Sequence, residues 1–346
     1  MELSNHPLYL GDLDRAAARI PPEPFHGKTV LITGAGGLIG SALTDLLIRV
    51  DQMYGCGLHI AAAVRNPARL QERFPQDAPV FGVTYDATAP TDFDFSADYI
   101  FHCAGNATPS AYIQDPVGTI LGNIIGIQGL LQYGLRCGTE KLVYISSSEV
   151  YGGDTNGEPF REDEYGYVDI LAPRSSYPMG KRAAESICAA YARQYGSRIS
   201  MARPGHIYGP TATERDKRVS SDFARMAARG EDLVMKSAGT QLRSYCYCVD
   251  CASALIWILL NGESPEAYNI SNKDSIITVR QMAELIARFG GVRLLTQEAS
   301  EAEKTMFNKM DNSSLNSERL EALGWQGLFS AEEGFAHTVQ ILRDCL

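Results

Sequence analysis

Tyr177 and Lys181 stand four residues apart in SSYPMGKRAAE. On a helix that spacing places both side chains on one face. A phenol titrates near pH 10 and is a poor base at neutral pH. An ammonium beside it favours the phenolate, which can draw a proton from an alcohol. Upstream, ISSSEVYG (145–152) sets hydroxyls and one carboxylate, Glu149, at the end of an apolar run. A hydroxyl from that run can hydrogen-bond the same substrate oxygen, and Glu149 either acts on substrate or serves as a capping or solvent-facing carboxylate.

The chemistry also needs an electron acceptor, and TGAGGLIG offers a place for one. Gly34, Gly37 and Gly40 are spaced G-x-x-G-x-x-G between an apolar strand and a 3.6-period helix, the context that dinucleotide binding requires. The first glycine permits the tight turn, the second a close approach to pyrophosphate, and the third close helix–strand packing. The helix N-terminus then faces the anion. Hydride from the alcohol carbon would pass to a nicotinamide, whose positive ring also favours phenolate. NAD sites often carry an acid after the second strand; here that place holds Val64, Arg65 and Asn66. NAD is the expected cofactor, with NADP open because Arg65 suits a 2′-phosphate. Asp86, after the third strand, is placed for adenine or for its own turn. The expected cofactor set is Gly34, Gly37, Leu38, Ile39, Gly40, Arg65, Asp86, Ala104 and Lys181.

This combination resembles the extended short-chain dehydrogenase/reductase family, over nearly the whole chain after residue 28. Within it the chain is most similar to nucleotide-sugar enzymes, and especially to UDP-glucuronate decarboxylases. HCAGNATPSAYIQDPVGTILGNIIG, SSEVYG, GYVDILAPRSSYPMGKRAAE, DKRVSSDFARMAARGEDL and GTQLRSYCYCVDCASAL carry the likeness. The resemblance implies that Ser147 is the catalytic hydroxyl, Tyr177 the base, Lys181 its support, and Arg243 a partner of the nucleotide diphosphate or a substrate carboxylate. It also implies a substrate-binding set of Ser148, Arg174, His206, Arg218 and Arg243. His206, in RPGHIYGP, stands where the family often has an Asn that contacts the sugar diphosphate. A 4,6-dehydratase of this kind carries Asp then Glu after the catalytic hydroxyl. Here the Asp place is Ser148, too weak an acid for a leaving hydroxyl, so dehydration is disfavoured. A decarboxylase needs less: oxidation at C4 of a uronic acid makes a β-keto acid that sheds CO2 readily. Glu149 then fits a proton carrier or a group that orients the carboxylate. A nucleotide-sugar 4-epimerase is the alternative, then a 4,6-dehydratase-type enzyme, and last a non-catalytic NADP-binding sensor. The family also implies a homodimer.

The bulk numbers agree with a soluble enzyme. The chain has 346 residues, 45% of them apolar, and a formal net charge of −10, which argues against a nonspecific nucleic-acid binder. The start, MELSNHPLYLGDLDR, lacks a basic end followed by an apolar run. The longest apolar stretch, CASALIWILL, is about half of a membrane span. Eight cysteines without such a leader read as reduced thiols in cytoplasm. Cys246, Cys248 and Cys251 do not have the spacing of a paired zinc knuckle, and CYCVDC has strand character; no metal is expected.

The elements that must position these residues follow from period and punctuation. LGDLDRAAARI reads as a short helix in a lead-in over 1–27. Strands are expected at 29–33, 58–64, 79–86, 97–105 and 141–146, with a long helix over about 117–137. Strands alternating with helices predict an α/β fold, a doubly wound parallel (Rossmann) sheet. The dinucleotide-binding domain is expected over 28–203, with 245–275 returning to it. A smaller C-terminal substrate-binding domain is expected over 204–244 and 276–346, covering the carboxyl edge of the sheet. TERDKRVSSDFARMAARG reads as one basic amphipathic helix, in which Arg215, Lys217 and Arg218 form either a solvated face or a wall around the nucleotide. Gly118, Gly122 and Gly126 recur every fourth residue of the long helix, so close packing by another helix or a subunit seam must offset their cost. His102 and Asn123 read as structural, and Tyr112 as either packing or a wall of the sugar pocket.

Overall fold

A run of apolar residues between Lys28 and the first glycine turn makes β1 (Thr29–Thr33), buried except at its first residue. The computed structural model describes residues 1–70, 73–74, 78–105, 107–153, 157–298 and 310–346. Helix α1 (Pro7–Ala17) precedes β1; α2 (Leu38–Tyr54) and β2 (His59–Val64) follow it. Next come β3 (Val80–Thr84), β4 (Tyr99–His102), α3 (Pro109–Gln114), α4 (Pro116–Cys137), β5 (Lys141–Ile145), α5 (Ser176–Tyr195) and β6 (Ile199–Pro204). The lead-in helix starts earlier than its sequence suggests, because Pro7 sits in its first turn, where a missing N–H costs nothing. Helix α4 is bounded as its residues dictate. Asp115 accepts from the Gly118 N–H at 2.9 Å, Pro116 follows, and Gly138 closes it in the left-handed conformation.

Beyond β6 the chain builds β7 (His206–Tyr208), α6 (Val219–Ala228), β8 (Leu233–Met235) and β9 (Leu242–Tyr247), then α7 (Cys248–Asn261) and β10 (Glu266–Ile270). The central sheet has seven strands in the order β10-β6-β5-β4-β1-β2-β3, every neighbour parallel. Strand β5 is buried along its whole length, as a sheet covered on both faces requires. Helix α7 packs on α2, so the segment after β9 returns to the sheet. A second, four-stranded sheet joins β7, β9, β11 (Ile276–Thr278) and Asn312–Ser313. Its β9 delivers Arg243. Among the described residues no helix is long and apolar enough to cross a membrane.

Three expectations need correction. The basic segment is helical only over Val219–Ala228. Residues before it are held in a turn by Asp216, whose carboxylate takes the backbone N–H of Arg218 at 3.1 Å, its guanidinium Nε at 2.9 Å and the Ser221 hydroxyl at 3.1 Å. A short acid bonding its own backbone competes with helix. Strand character ends at Tyr247, and Cys248 and Cys251 belong to α7; all eight cysteines are free. The glycines of α4 face neither another helix nor open space. A Cβ on Gly126 would lie 2.9 Å from the Ala87 Cβ, and Gly122 lies beside Thr88, so the segment after β3 is what packs there.

One buried ion pair ties α5 to β6. Arg203 donates to both carboxylate oxygens of Glu185, at 3.0 and 2.6 Å, and also to the Tyr151 hydroxyl and the Glu162 carbonyl. Removing one partner leaves an uncompensated buried charge. Glu185→Ala is expected to cost about 3–5 kcal/mol of stability, read as a lowered midpoint of urea unfolding.

Candidate active site

The cradle of the glycine turn is built by exclusion. Gly34 has φ +70°, and a Cβ there would sit 2.8 Å from the Ala104 nitrogen. A Cβ on Gly40 would sit 2.3 Å from the Gly34 carbonyl oxygen. Gly37 caps α2 with extended backbone and no side-chain acceptor, so the N–H groups at Leu38 and Ile39 point where an anion is favoured. The Thr33 hydroxyl receives the Ala104 N–H at 3.3 Å and pairs with His102 Nδ1 at 2.7 Å, which locks the ends of β1 and β4 beside the turn. His102 is therefore a buried structural residue, its pKa pushed down to about 3 by burial and then by Lys181. At the far end Arg65 is exposed beyond β2. Asp86 caps its own turn, accepting from the Thr88 N–H and hydroxyl; those bonds, with a smaller pull from Arg65, hold its carboxyl below the usual range. These residues fit a dinucleotide: a turn no larger side chain could occupy, an anion-favouring helix start, and a cation at the ribose end.

From that turn a cleft of about 520 Å³ opens along the carboxyl edge of the sheet. Ile39 and Cys103 line it at the cofactor end; Ser147, Ser148, Glu149, Tyr177 and Lys181 at its centre; Arg174, His206, Arg218 and Arg243 beyond them. Every catalytic and substrate candidate from the sequence thus reaches one cavity. Tyr177 and Lys181 share the inner face of α5 and are 6% and 4% exposed. The Lys181 ammonium donates to the Ile145 carbonyl at 2.7 Å and lies 5.9 Å from the Tyr177 ring centre. Burial brings it down to about 8, against the opposing pull of Cys103, Glu185 and Cys188. Burial likewise pushes the Tyr177 phenol up to about 12; the Ser147 hydroxyl bonded to it and Arg218 pull down, while Glu149 adds to the rise.

Ser147 also accepts from the Glu149 N–H at 3.2 Å, starting the short turn Ser148–Tyr151. Arg182 holds that turn from α5, donating to the carbonyls of Val150 and Tyr151 at 2.7 and 3.2 Å. Glu149 is therefore aimed into the cleft, with the Arg174 guanidinium 3.9 Å away. Asn123 packs under the site, accepting from the Tyr144 hydroxyl at 3.2 Å. Arg243 is buried and donates to the Leu242 and Met310 carbonyls at 2.8 and 3.0 Å. His206 is kept neutral: burial first, then Arg243 and Arg218, bring its pKa to about 3. Among the described residues its buried Nδ1 has no hydrogen-bond partner, which suits a ligand-facing imidazole.

Lys217, Lys236 and Gln241 also line the cleft, whereas Arg215 is exposed outside it. Lys217 was legible only as part of a charge run. Lys236 follows a three-residue strand, too short for periodicity to register, and carried no signal.

A sequence profile of the NAD dependent epimerase/dehydratase family matches residues 30–271. The chain belongs to that family. Its relatives include a UDP-glucuronic acid decarboxylase 1 of Xenopus tropicalis, 31% identical over 94% of this chain and 75% of that one. UDP-glucuronic acid decarboxylase 3 of Arabidopsis thaliana is 33% identical over 88% of this chain and 86% of its own. Among solved structures, the Thermus thermophilus UDP-glucose 4-epimerase in complex with NAD aligns with a TM-score of 0.76 at 25% identity. It covers 92% of this chain and all (100%) of that one. The family is one of NAD-dependent enzymes that modify nucleotide sugars.

The clash at Gly40 gives a direct check of the cradle. Gly40→Ala is expected to lower NAD affinity at least about tenfold, measured as NAD released per chain on denaturation. NAD retained at the wild-type level would show that the turn does not hold it.

Proposed function

We propose that the chain is a nucleotide-sugar decarboxylase acting on a UDP-linked uronic acid through a transient 4-keto sugar. The carrying observation is the composition of the catalytic cluster: one carboxylate, Glu149, where Ser148 leaves no second acid, within reach of the Arg174 guanidinium and beside the Ser147–Tyr177 pair. Gly34, Gly37, Leu38, Ile39, Gly40 and Ala104 would hold the pyrophosphate and ribose of the dinucleotide, Lys181 its nicotinamide end, and Arg65 and Asp86 its adenosine end. When bound, NAD accepts the C4 hydride and later returns it, and its positive ring favours the Tyr177 phenolate. The position of Arg65 leaves NADP as the second cofactor reading.

The chain's own residues do the remaining work. Tyr177 Oη takes the proton of the C4 hydroxyl, and Ser147 donates to the same oxygen. Lys181, fixed by Ile145, keeps a positive charge near that ring. Lys217, Arg218, Lys236 and Arg243 give the outer cleft the charge that a diphosphate needs, and His206 supplies a neutral donor or acceptor among them. The β-keto acid loses CO2 with its electrons passing into the C4 carbonyl as an enolate, which is then protonated at C5. Glu149, with Arg174 against it, orients the carboxylate and carries that proton. A 4-epimerase is the second reading, favoured by the likeness to the Thermus enzyme's fold; it would leave Glu149 without a role.

We further propose that 28–203 with 245–275 forms the dinucleotide-binding domain, and 204–244 with 276–346 the substrate-binding domain. Two copies are proposed to pair through α4, where Val117, Leu121 and Leu135 are exposed on one face. A cytoplasmic setting suits eight free thiols.

Incubation with UDP-glucuronate is expected to yield a product lighter by one CO2 in mass spectrometry. Glu149→Gln should lower turnover by about tenfold or more, and Tyr177→Phe by about 100-fold or more. An isomer of unchanged mass from a neutral nucleotide hexose, with UDP-glucuronate untouched, would move the assignment to the epimerase.

A further inference from the structure

Tyr112 is a cleft aromatic that reaches both halves of the proposed catalytic cluster. Its ring stacks on that of Tyr177, with centroids 5.2 Å apart and planes 14° apart. Its hydroxyl accepts from Arg174 Nη2 at 3.0 Å, and the same guanidinium nitrogen lies 3.9 Å from Glu149. Its backbone carbonyl receives the Ser176 hydroxyl at 3.4 Å, in the first turn of α5. The residue comes from α3, is 3% exposed, and so is anchored before any ligand arrives.

We propose that Tyr112 is a positioning residue: its ring fixes the plane of the Tyr177 phenol, and its hydroxyl fixes Arg174 and, through it, Glu149. This rests on the reading of Tyr177 as the base. The two roles use different atoms, so they separate by substitution. Stacked rings 5.2 Å apart restrict the tilt of the phenol, and the barrier to proton transfer is steep in that geometry. The hydroxyl matters because the Arg174–Glu149 contact is too long for a hydrogen bond. Without Tyr112 the guanidinium has that one fewer anchor and can close on the carboxylate.

Tyr112 also covers one face of the base. The charged and titratable groups facing Tyr177 are Glu149 from the Ser148–Tyr151 turn, Arg218 from the turn before α6, Lys181 on its own helix, Tyr144 from β5 and Tyr112 itself. Burial is the largest influence on the phenol and raises its pKa. Opening the Tyr112 side to water therefore moves that pKa down, toward its ordinary value.

Tyr112→Leu, Tyr112→Phe and Tyr177→Phe are compared with the wild-type holoenzyme on UDP-glucuronate, across pH. Tyr112→Leu is expected to lose about 20-fold or more in kcat with KM within about threefold. The acid limb of its kcat/KM profile should move to lower pH. Tyr112→Phe keeps the ring, so its limb should stay in place while kcat falls about fivefold. An unshifted limb in Tyr112→Leu, or a loss carried by KM alone, would overturn the proposal and make the residue a sugar contact only. If the leucine variant does not fold, the phenylalanine variant decides: kcat within about twofold of wild type overturns the role of the hydroxyl. Full turnover by Tyr177→Phe would instead sink the assignment of the base, a failure distinct from a normal Tyr112→Leu.

Discussion

A lysine ammonium held almost wholly out of water, with the end of a central strand as its acceptor, is the constraint on which this site depends. The Lys181–Ile145 bond sets where α5 lies along β5. That placement puts Tyr177, one helical turn earlier, over the cleft. An isolated charge at such depth is costly, and its burial draws the amine toward neutrality at about 8. The same burial holds the phenol protonated. Deprotonation of the phenol is therefore favoured only by added positive charge or hydrogen-bond donors beside it, as Arg218 and Ser147 already pull it down while the Glu149 carboxylate opposes them.

Substrate-side groups obey the same rule of low dielectric. His206 is neutral chiefly because it is buried, and Arg243 and Arg218 add to that. Asp216 keeps Arg218 oriented from a turn and so adds a counter-charge outside the cleft wall. The result is a channel with cations along its outer length and, among the described residues that line it, one carboxylate, Glu149, near Tyr177. Tyr112 joins Arg174 by a hydrogen bond and Tyr177 by ring stacking, which brings the Arg174 guanidinium to 3.9 Å from that carboxylate.

Local pattern carried a great deal of this. The strand Thr29–Thr33, the glycine turn and α2 were legible because a buried strand, a φ > 0 turn and a 3.6-period helix each leave a short-range signature. Tyr177 and Lys181 were legible because a helix converts a spacing of four into a shared face. What escaped depends on tertiary contact. The helix expected from Thr213 starts only at Val219, since Asp216 satisfies local donors that a helix would have needed. Of the α4 glycines singled out by their spacing, Gly122 and Gly126 pack on the segment after β3, a partner no spacing reveals, and Gly118 lies against the Asp115 cap. Lys236 and the Tyr112 stack come from a three-residue strand and a six-residue helix, too short to show which way a side chain points.

The central claim is that hydrogen leaves C4 of the sugar and comes back to the same carbon while Tyr177 handles the hydroxyl proton. UDP-glucuronate deuterated at C4 tests it most directly. A primary isotope effect on turnover is expected, with a decarboxylated product that keeps its deuterium at C4 in ordinary water. Deuterium lost to solvent, or turnover indifferent to the label with CO2 still released, would contradict it.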